Sequence, residues 1–405
     1  APDTLRQGIK KLPGGHTLKF NSGSGIITVS RYWRYEIATS PPPGKHEDWT
    51  EELRHLLRNA VEKRLQSDVP LGFFLSAGVD SASIVALASG LLSPQEVNTF
   101  TIGFDDPSFD ESGPARDLAA HFKARHHEQI LTMADAADLT PSILSRMDEP
   151  IADGSLIPTH LLSHFAGQSV TVALSGDGGD ELFAGYDTFS ALGPSQHFHT
   201  WTPSALRRLL ARAASFLPVS ERNMSWDFKV RRALRGLVYD ADLWHPLWLA
   251  PVGPHELGRL FGEEIDIDDI YGDIIEAWNN SACDNHTDRA LEFYARYYLA
   301  DNLLPKADRA SMMCSLEVRS PFLDNDLVDF CLQLPTDVKY RNGERKWILK
   351  QAVAPLLPPE VLARPKKGFG LPIVQLLKTM PRPDPAAADK IGLDGEWLGA
   401  RWDEH

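Results

Sequence analysis

Three carboxylates lie close together in the segment Ser175-Gly-Asp-Gly-Gly-Asp-Glu-Leu-Phe-Ala-Gly-Tyr186, where Asp177, Asp180 and Glu181 are interspersed with glycines. Negative charges at such short spacing repel one another unless a cation compensates them. Carboxylate oxygens suit Mg²⁺, which usually keeps several waters and also binds substrate phosphates. The segment therefore predicts a magnesium and phosphate site, with an acidic, solvated turn as the alternative.

A second segment, Ser76-Ala-Gly-Val-Asp-Ser81, consists mainly of small residues and hydroxyls. The backbone N–H groups of such a turn can surround phosphate oxygens, and a helix that starts there adds a partial positive charge. The chain contains neither the P-loop pattern G-x-x-x-x-G-K-S/T nor the dinucleotide pattern G-x-G-x-x-G. We predict a different anion-binding turn, with Asp80 as a partner of Asp180 at the metal ion; an ordinary turn that enters a helix is the alternative.

The elements that must position these turns are strands alternating with helices. Short apolar runs predict strands over 71–75, 97–104, 127–131 and 169–174, so that each turn follows a strand. Helical spacing of apolar residues predicts helices over 49–66, 81–91, 111–123, 135–146 and 158–167. This alternation indicates an α/β fold, a parallel sheet flanked by helices, with ligands at the carboxyl ends of the strands.

The two ends of the chain differ from this alternating region. Two β-rich runs, at 16–20 and 26–33, surround a Gly/Ser turn and predict a short N-terminal β-hairpin, and Pro41-Pro-Pro-Gly44 marks a boundary near residue 40. From about 195 to 300 the pattern is helical, which indicates a helical C-terminal half. We expect four of its tryptophans in the core: Trp201, Trp226, Trp244 and Trp248. The expected parts are residues 1–40, 41–195 and 196–405.

Composition excludes several classes of protein. The 405 residues include 41 Lys and Arg against 55 Asp and Glu, a net charge of −14 that disfavours a nucleic-acid partner. The three cysteines form no C-x-x-C pair, which fits a reducing compartment. No stretch approaches the roughly 20 apolar residues that span a bilayer. We therefore expect a cytoplasmic protein with no membrane partner, and we expect that its sequence, which begins at Ala1, continues a longer chain.

Five segments, in order along the chain, resemble the synthetase domain of the glutamine-dependent asparagine synthetase family. They are Leu75-Ser-Ala-Gly-Val-Asp-Ser81, Leu174-Ser-Gly-Asp-Gly-Gly-Asp-Glu-Leu-Phe-Ala-Gly-Tyr186, Asp308-Arg-Ala-Ser-Met312, Leu316-Glu-Val-Arg-Ser-Pro-Phe-Leu-Asp324 and Lys366-Lys-Gly-Phe-Gly370. Residues 5–35 resemble the closing hairpin of the family's N-terminal glutaminase domain, whose catalytic cysteine is not in this sequence. The resemblance implies a sheet of the adenine-nucleotide α-hydrolase (PP-loop) type.

The resemblance also implies a reaction. ATP would adenylate a carboxylate, with aspartate as the expected substrate, and pyrophosphate would leave. Ammonia would then attack the acyl-adenylate to give asparagine and AMP. The implied cofactors are ATP and Mg²⁺, and the implied partners are a small carboxylate, ammonia and a glutaminase domain, upstream in the parent chain or separate. A homodimer is left open.

Residue roles follow from the resemblance by position. The positions implied to bind ATP are Phe74, Ser76, Ala77, Gly78, Val79, Asp80, Ser81, Ile102, Gly103, Ser175 and Gly176. Asp80 and Asp180 would hold Mg²⁺, and Lys346 would neutralise charge on the α-phosphate in the transition state. Asp177 would orient the acyl group or accept a proton from the attacking amine. Ala77 replaces a usual glycine, which costs about 1 kcal/mol if this position needs a positive φ.

Six further residues are expected to contact the substrate or to frame the site: Glu181, Tyr186, Asp308, Arg309, Glu317 and Arg319. We expect Asp308 to pair with Arg309 and Glu317 to pair with Arg319, with direct substrate contact as the alternative.

Other functions remain open at this stage. The main alternative is a synthetase that forms an intramolecular amide, similar to β-lactam synthetases or lasso-peptide cyclases, because the motifs cannot separate the two. A tRNA-modifying enzyme with a related phosphate loop is disfavoured by the acidic composition. A nucleotide-binding regulator is motivated only by Ala77.

Overall fold

The N-terminal hairpin pairs β1 (His16–Phe20) with β2 (Ile27–Arg31) in antiparallel register, with His16 opposite Arg31. This antiparallel pairing confirms the predicted hairpin. The structure is a computed structural model that describes residues 2–214, 216–218, 220, 225–365, 368–382, 384–389 and 394. The lysines of the predicted motif 366–370, Lys366 and Lys367, lie outside the described residues.

A five-stranded sheet forms the centre of the fold, and all of its neighbouring strands are parallel. Its strands are β3 (Leu71–Phe74), β4 (Asn98–Phe104), β5 (Arg125–Leu131), β6 (Val172–Leu174) and β7 (Glu317–Arg319). Their order across the sheet is β5-β4-β3-β6-β7. Because the strands are parallel, their carboxyl ends share one edge, and β3 and β6 are immediate neighbours there. The predicted α/β fold class is confirmed.

Helices connect the first strands as the apolar spacing predicted. They are α1 (His46–Leu65), α2 (Val79–Ser89), α3 (Ser112–His121), α4 (Met133–Ser145) and α5 (Leu156–Gly167). In α1 the apolar face of Leu53, Leu57 and Val61 is fully buried, whereas α2 is buried along nearly its whole length. This difference follows from their sequences, because α1 is amphipathic and α2 consists mostly of small and apolar residues.

The second half of the chain is mainly helical, as predicted. Its helices are α6 (Gly179–Leu182), α7 (Asp187–Trp201), α8 (Ser204–Ala214), α9 (Trp226–Leu237), α10 (Ala241–Leu249), α11 (Pro254–Phe261), α12 (Ile267–Asn279), α13 (His286–Phe293), a π-helix (Tyr294–Leu303), α14 (Leu304–Met312), a 3₁₀ turn (Pro321–Leu323), α15 (Asn325–Gln333), α16 (Thr336–Lys339), α17 (Trp347–Val353), α18 (Pro359–Ala363), α19 (Ile373–Thr379) and α20 (Pro385–Asp389). A short antiparallel pair, β8 (Tyr340–Arg341) and β9 (Glu344–Arg345), precedes α17.

Two features of this half differ from the expectation. Strand β7 has only three residues, at the edge of the sheet, so it presents too short a pattern to separate it from the surrounding helices. Trp244 and Trp248 are buried as expected, but Trp201 and Trp226 are 83% and 72% exposed. The expectation of a core position is wrong for those two, because an indole at the end of a surface helix does not have to face inward.

Two clusters of buried apolar side chains pack around the sheet. One includes Leu57, Phe73 and Val85, and the other includes Phe100 and Leu161. Together they fix the strands and so the turns at their carboxyl ends. Within the described residues, no helix combines the length and apolarity that crossing a bilayer requires.

Candidate active site at the carboxyl ends of β3 and β6

The turn after β3 and the turn after β6 are in direct contact. A Cβ atom added at Gly176 would lie 2.9 Å from the backbone nitrogen of Ser81 and 3.0 Å from the Cβ of Asp80. Only glycine allows this approach, because real Cβ atoms essentially never come closer than about 3 Å to such neighbours. The two segments that the sequence singled out therefore meet at one place.

One buried ammonium joins the two turns. The Nζ of Lys346 lies 2.5 Å from Oδ2 of Asp80 and 2.6 Å from Oδ1 of Asp180. Lys346 is 5% exposed, and the two carboxylate side chains are 18% and 16% exposed. Asp80 and Asp180 are thus within reach of a single cation.

The hairpin of β8 and β9 places Lys346 at this point. Asn342 and Gly343 connect the two strands with φ values of +50° and +85°, the positive values that a tight hairpin turn needs. Lys346 follows β9 with a φ of +56° and immediately precedes α17. Its backbone nitrogen donates to the carbonyl of Phe183, 3.1 Å away. A left-handed conformation in a residue other than glycine costs free energy, so packing must enforce it, and such positions are frequent at functional sites.

The phosphate turn is organised by its two serine hydroxyls. The backbone N–H of Ser76 donates to Oγ of Ser81 at 3.0 Å, and the two hydroxyls lie 2.9 Å apart. The N–H of Gly78 donates to Oγ of Ser76, and α2 begins at the next residue, Val79. Ala77 is buried and is not among the described residues with positive φ. The cost considered for alanine at this position therefore does not arise.

Asp177 is fixed by the end of β6. Oγ of Ser175 donates to Oδ2 of Asp177 at 2.8 Å and lies 3.2 Å from Oγ of Ser320, which follows β7. The N–H of Ser175 donates to the carbonyl of Arg319. The unpredicted strand β7 thus orients the turn that carries Asp177.

Glu181 is buried beneath the site with a tyrosine as its partner. It is 1% exposed, and Oη of Tyr186 donates to its Oε1. Burial raises the pKa of Glu181 to about 7. The ring of Tyr186 stacks on Tyr294, with centroids 4.6 Å apart, and meets Tyr298 edge to face. Tyr294 and Tyr298 come from the π-helix; the sequence predicted helical structure here but not the contact of these rings with Tyr186.

The other framing residues divide into two groups. Glu317 and Arg319 form the expected ion pair at 2.6 Å. Asp308 is exposed, however, and the guanidinium of Arg309 binds Asp148 instead, with Nη2 2.7 Å from Oδ2. This ion pair lowers the pKa of Asp148 to about 2. The expected pairing of Asp308 with Arg309 is wrong, because neighbours in a helix point to different sides and Arg309 reaches a distant loop.

The positions expected to line the adenosine lie at the same edge of the sheet. Phe74 ends β3, and Ile102 and Gly103 lie near the end of the neighbouring strand β4. A cavity of about 230 Å³ borders this edge. It is lined by Ala77, Asp110, Glu111, Pro114, Arg364 and Pro365. Arg364 was not among the site residues that the sequence predicted.

Comparison with known proteins decides the family. The family model for asparagine synthase matches residues 52–386 of the chain. The chain belongs to the asparagine synthase family. It is 29% identical to asparagine synthetase (glutamine-hydrolyzing) 1 of Bacillus subtilis (strain 168), in an alignment that covers 93% of this chain and 58% of that protein.

Two further relatives differ in name: one is named a putative asparagine synthetase and the other an amidase. A putative asparagine synthetase (glutamine-hydrolyzing) of Mycobacterium bovis is 30% identical, with 93% of this chain and 56% of that protein covered. A protein named amidase chry2 of Gibberella zeae is 26% identical, with 90% and 59% covered. The chain therefore spans less than three-fifths of the length of each of these three relatives.

The residues at the meeting point of the two turns fit a divalent cation. Oδ1 of Asp80 is buried and accepts no hydrogen bond in the described structure, and the Lys346 ammonium already occupies a cation's position between Asp80 and Asp180. Two carboxylates without a closed protein cage suit Mg²⁺, which takes its remaining ligands from water and phosphate.

Proposed function

We propose that this chain is the synthetase part of an ATP-dependent amide-forming enzyme that converts aspartate and ammonia to asparagine, with AMP and pyrophosphate as the other products. The observation that carries the proposal is the contact of Lys346 with Asp80 and Asp180 where the two turns meet. Membership of the asparagine synthase family supports the reaction class.

The phosphate turn binds the triphosphate of ATP in this proposal. The N–H groups around Gly78 and the N-terminus of α2 favour phosphate oxygens. Asp80 and Asp180 hold Mg²⁺, which supplies positive charge to the phosphates. Phe74, Ile102, Gly103, Ser175 and Gly176 line the adenosine.

Lys346 neutralises the charge that develops on the α-phosphate as the substrate carboxylate attacks it. Its side chain is buried and its backbone is fixed by the bond to the Phe183 carbonyl, so the ammonium is confined to this part of the site. Asp177, held by Ser175, orients the acyl group or accepts a proton from the attacking amine. Tyr186 donates a hydrogen bond to Glu181 of α6 and so helps to fix that helix.

The nitrogen donor is ammonia from a glutaminase domain. We assign residues 1–40 to the end of that domain and its linker, residues 41–195 to the ATP-binding core, and residues 196–405 to the helical part that completes the site. Support comes from the exposed hairpin of β1 and β2 and from relatives whose names include glutamine hydrolysis. The cytoplasmic location and a homodimer stay predictions.

A direct assay tests this function. The chain is incubated with ATP, Mg²⁺, ammonium and aspartate, and AMP, pyrophosphate and asparagine are measured. We expect the three products in equal amounts, because each turnover forms one of each. Absence of aspartate-dependent pyrophosphate would contradict aspartate as the substrate.

An intramolecular amide-forming synthetase is the second candidate. The chain is similar to amidase chry2, whose name differs from that of an asparagine synthetase, and this similarity supports a different acyl substrate as the second candidate. Pyrophosphate release that requires another carboxylate, and no ammonium, would favour this candidate.

A further inference from the structure

Arg364 lies close to the phosphate turn although it is far from it in sequence. It follows α18, and α18 packs against α2, the helix that begins at that turn. Its backbone is extended, with φ −67° and ψ 132°, as expected for a residue that precedes a proline. Arg364 lines the cavity of about 230 Å³ that Ala77 of the turn also lines. Arg364 and Ala77 of the phosphate turn therefore line the same cavity.

The guanidinium of Arg364 lacks a partner at one end. Its Nη1 is buried and makes no hydrogen bond in the described structure. An arginine side chain stays charged at any ordinary pH, so a buried, unpaired N–H group is unfavourable unless a ligand satisfies it. The missing partner is an acceptor, and a charged acceptor satisfies a guanidinium best.

The carboxylates of the cavity do not supply that acceptor. Asp110 accepts the backbone N–H groups of Phe104 and Ser112 on Oδ1 and the Ser112 hydroxyl on Oδ2. Glu111 also lines the cavity but does not bond Nη1. Within the described residues, the carboxylates of the cavity leave this N–H group available to a bound molecule.

Charge balance favours a phosphate as that molecule. Lys346 already faces two carboxylates, Asp80 and Asp180, and Asp177 and Glu181 lie nearby in the same turn. A triphosphate brings more negative charge than Lys346 and one divalent ion compensate. A guanidinium fork matches phosphate oxygens in geometry as well as in charge.

We propose that Arg364 is a further substrate-binding residue, whose guanidinium binds the β- and γ-phosphates of ATP and then the pyrophosphate that leaves. This proposal rests on the proposed function and specifies how the site holds the leaving group.

Calorimetric binding of magnesium pyrophosphate and of AMP to the full chain tests the proposal without turnover. In Arg364→Gln the dissociation constant of pyrophosphate should rise about tenfold or more, since a charge-assisted bond is lost. Binding of AMP, which lacks the β- and γ-phosphates, should be unchanged. The dissociation constant of pyrophosphate for Arg364→Lys should lie between those of the unaltered chain and Arg364→Gln, because lysine keeps the charge but lacks the forked guanidinium.

Arg116→Gln is the matched control. Arg116 lies on α3, the helix whose Pro114 lines the cavity, but its side chain is 60% exposed and pairs with Glu128. We expect its pyrophosphate binding to equal that of the unaltered chain. Unchanged pyrophosphate binding in Arg364→Gln, or equal weakening of pyrophosphate and AMP, would overturn the role of Arg364. Failure of the proposed function would be distinct, because it would show as absence of AMP formation from ATP by the unaltered chain.

Discussion

Two buried lysines lie on either side of the β8–β9 hairpin, and their surroundings are opposite. Lys346 follows β9, and its ammonium contacts the carboxylates of Asp80 and Asp180. Lys339, at the end of α16 before β8, is fully buried, and its Nζ has no hydrogen-bond partner in the described structure. Burial lowers the pKa of Lys339, because desolvation penalises the charged amine.

The difference shows that burial alone does not identify a functional lysine. At Lys346 two carboxylates contact the ammonium, and the hairpin, the positive φ and the bond to the Phe183 carbonyl hold it at the meeting point of two turns. At Lys339 burial lowers the pKa and outweighs the opposite effects of the Cys331 thiol and the Asp288 carboxylate. We therefore expect substitutions at Lys346 to change chemistry and substitutions at Lys339 to change stability.

Replacing Lys346 should have the largest effect. In Lys346→Ala, kcat for pyrophosphate release should fall about 10³-fold, the upper range for loss of one group that stabilises transition-state charge. ATP binding should be mostly retained, because the phosphate turn is untouched. Pyrophosphate release under saturating substrates and equilibrium ATP binding measure the two effects. Unaltered turnover would remove Lys346 from the mechanism.

Glu181 sharpens the contrast, because it is a buried acid on the Lys346 side. Its pKa is raised to about 7, so the Glu181 carboxyl ionises at lower pH in the unfolded chain than in the folded one. Stability should therefore fall as pH rises from about 4.5 to about 7, by up to about 3 kcal/mol from this group. Glu181→Gln, which keeps an acceptor for Tyr186, should lack that slope in urea unfolding curves. Parallel pH profiles of the two proteins would contradict the raised pKa.

Gly185 tests whether the position of Lys346 matters. A Cβ atom at Gly185 would overlap Oδ1 of Asp180 and Cε of Lys346. Gly185→Ala should lower turnover about 10²-fold, the usual effect of a displaced catalytic group. Gly193→Ala in α7 is the control, because no atom lies within 4 Å of its added Cβ, and it should preserve activity and stabilise the helix slightly. Equal turnover of both variants would show that the site tolerates the displacement.

Lys339→Met should produce the smallest effect, and in stability only. An apolar side chain of similar size removes the need to bury an amine, so the free energy of unfolding at neutral pH should rise by about 1–2 kcal/mol. Because the folded pKa of Lys339 is lowered, its contribution to stability declines as pH falls below its ordinary value of 10.5. The variant should lose this slope, as urea unfolding at neutral and alkaline pH would show. A less stable variant with normal activity would contradict the description of Lys339.

Sequence patterns predicted the parts of the site that follow buried strands. The turns after β3 and β6 were recognisable because each combines small residues with an apolar run before it and helical spacing after it. Spacing could not predict contacts between distant segments. Lys346 lies 266 positions from Asp80, and only the family resemblance brought it to the site.

Other parts of the site depend on packing that no local pattern records. Strand β7 is three residues long, yet its last residue, Arg319, and the following Ser320 orient Ser175. Arg309 contacts Asp148, 161 positions away, instead of its neighbour Asp308. Arg364 shares a cavity with Ala77 of the phosphate turn, and this proximity depends on the packing of α18 on α2. The catalytic and binding roles assigned to individual residues stay predictions.

Oxygen transfer tests the central claim most directly. Aspartate labelled with oxygen-18 in its side-chain carboxylate is incubated with the chain, ATP, Mg²⁺ and ammonium, and AMP is analysed by mass spectrometry. In adenylation a carboxylate oxygen bonds to the α-phosphorus as the bond to pyrophosphate breaks, and ammonia then displaces AMP from the acyl carbon. The account predicts one labelled oxygen in each AMP. Unlabelled AMP, or formation of ADP and phosphate instead, would contradict it.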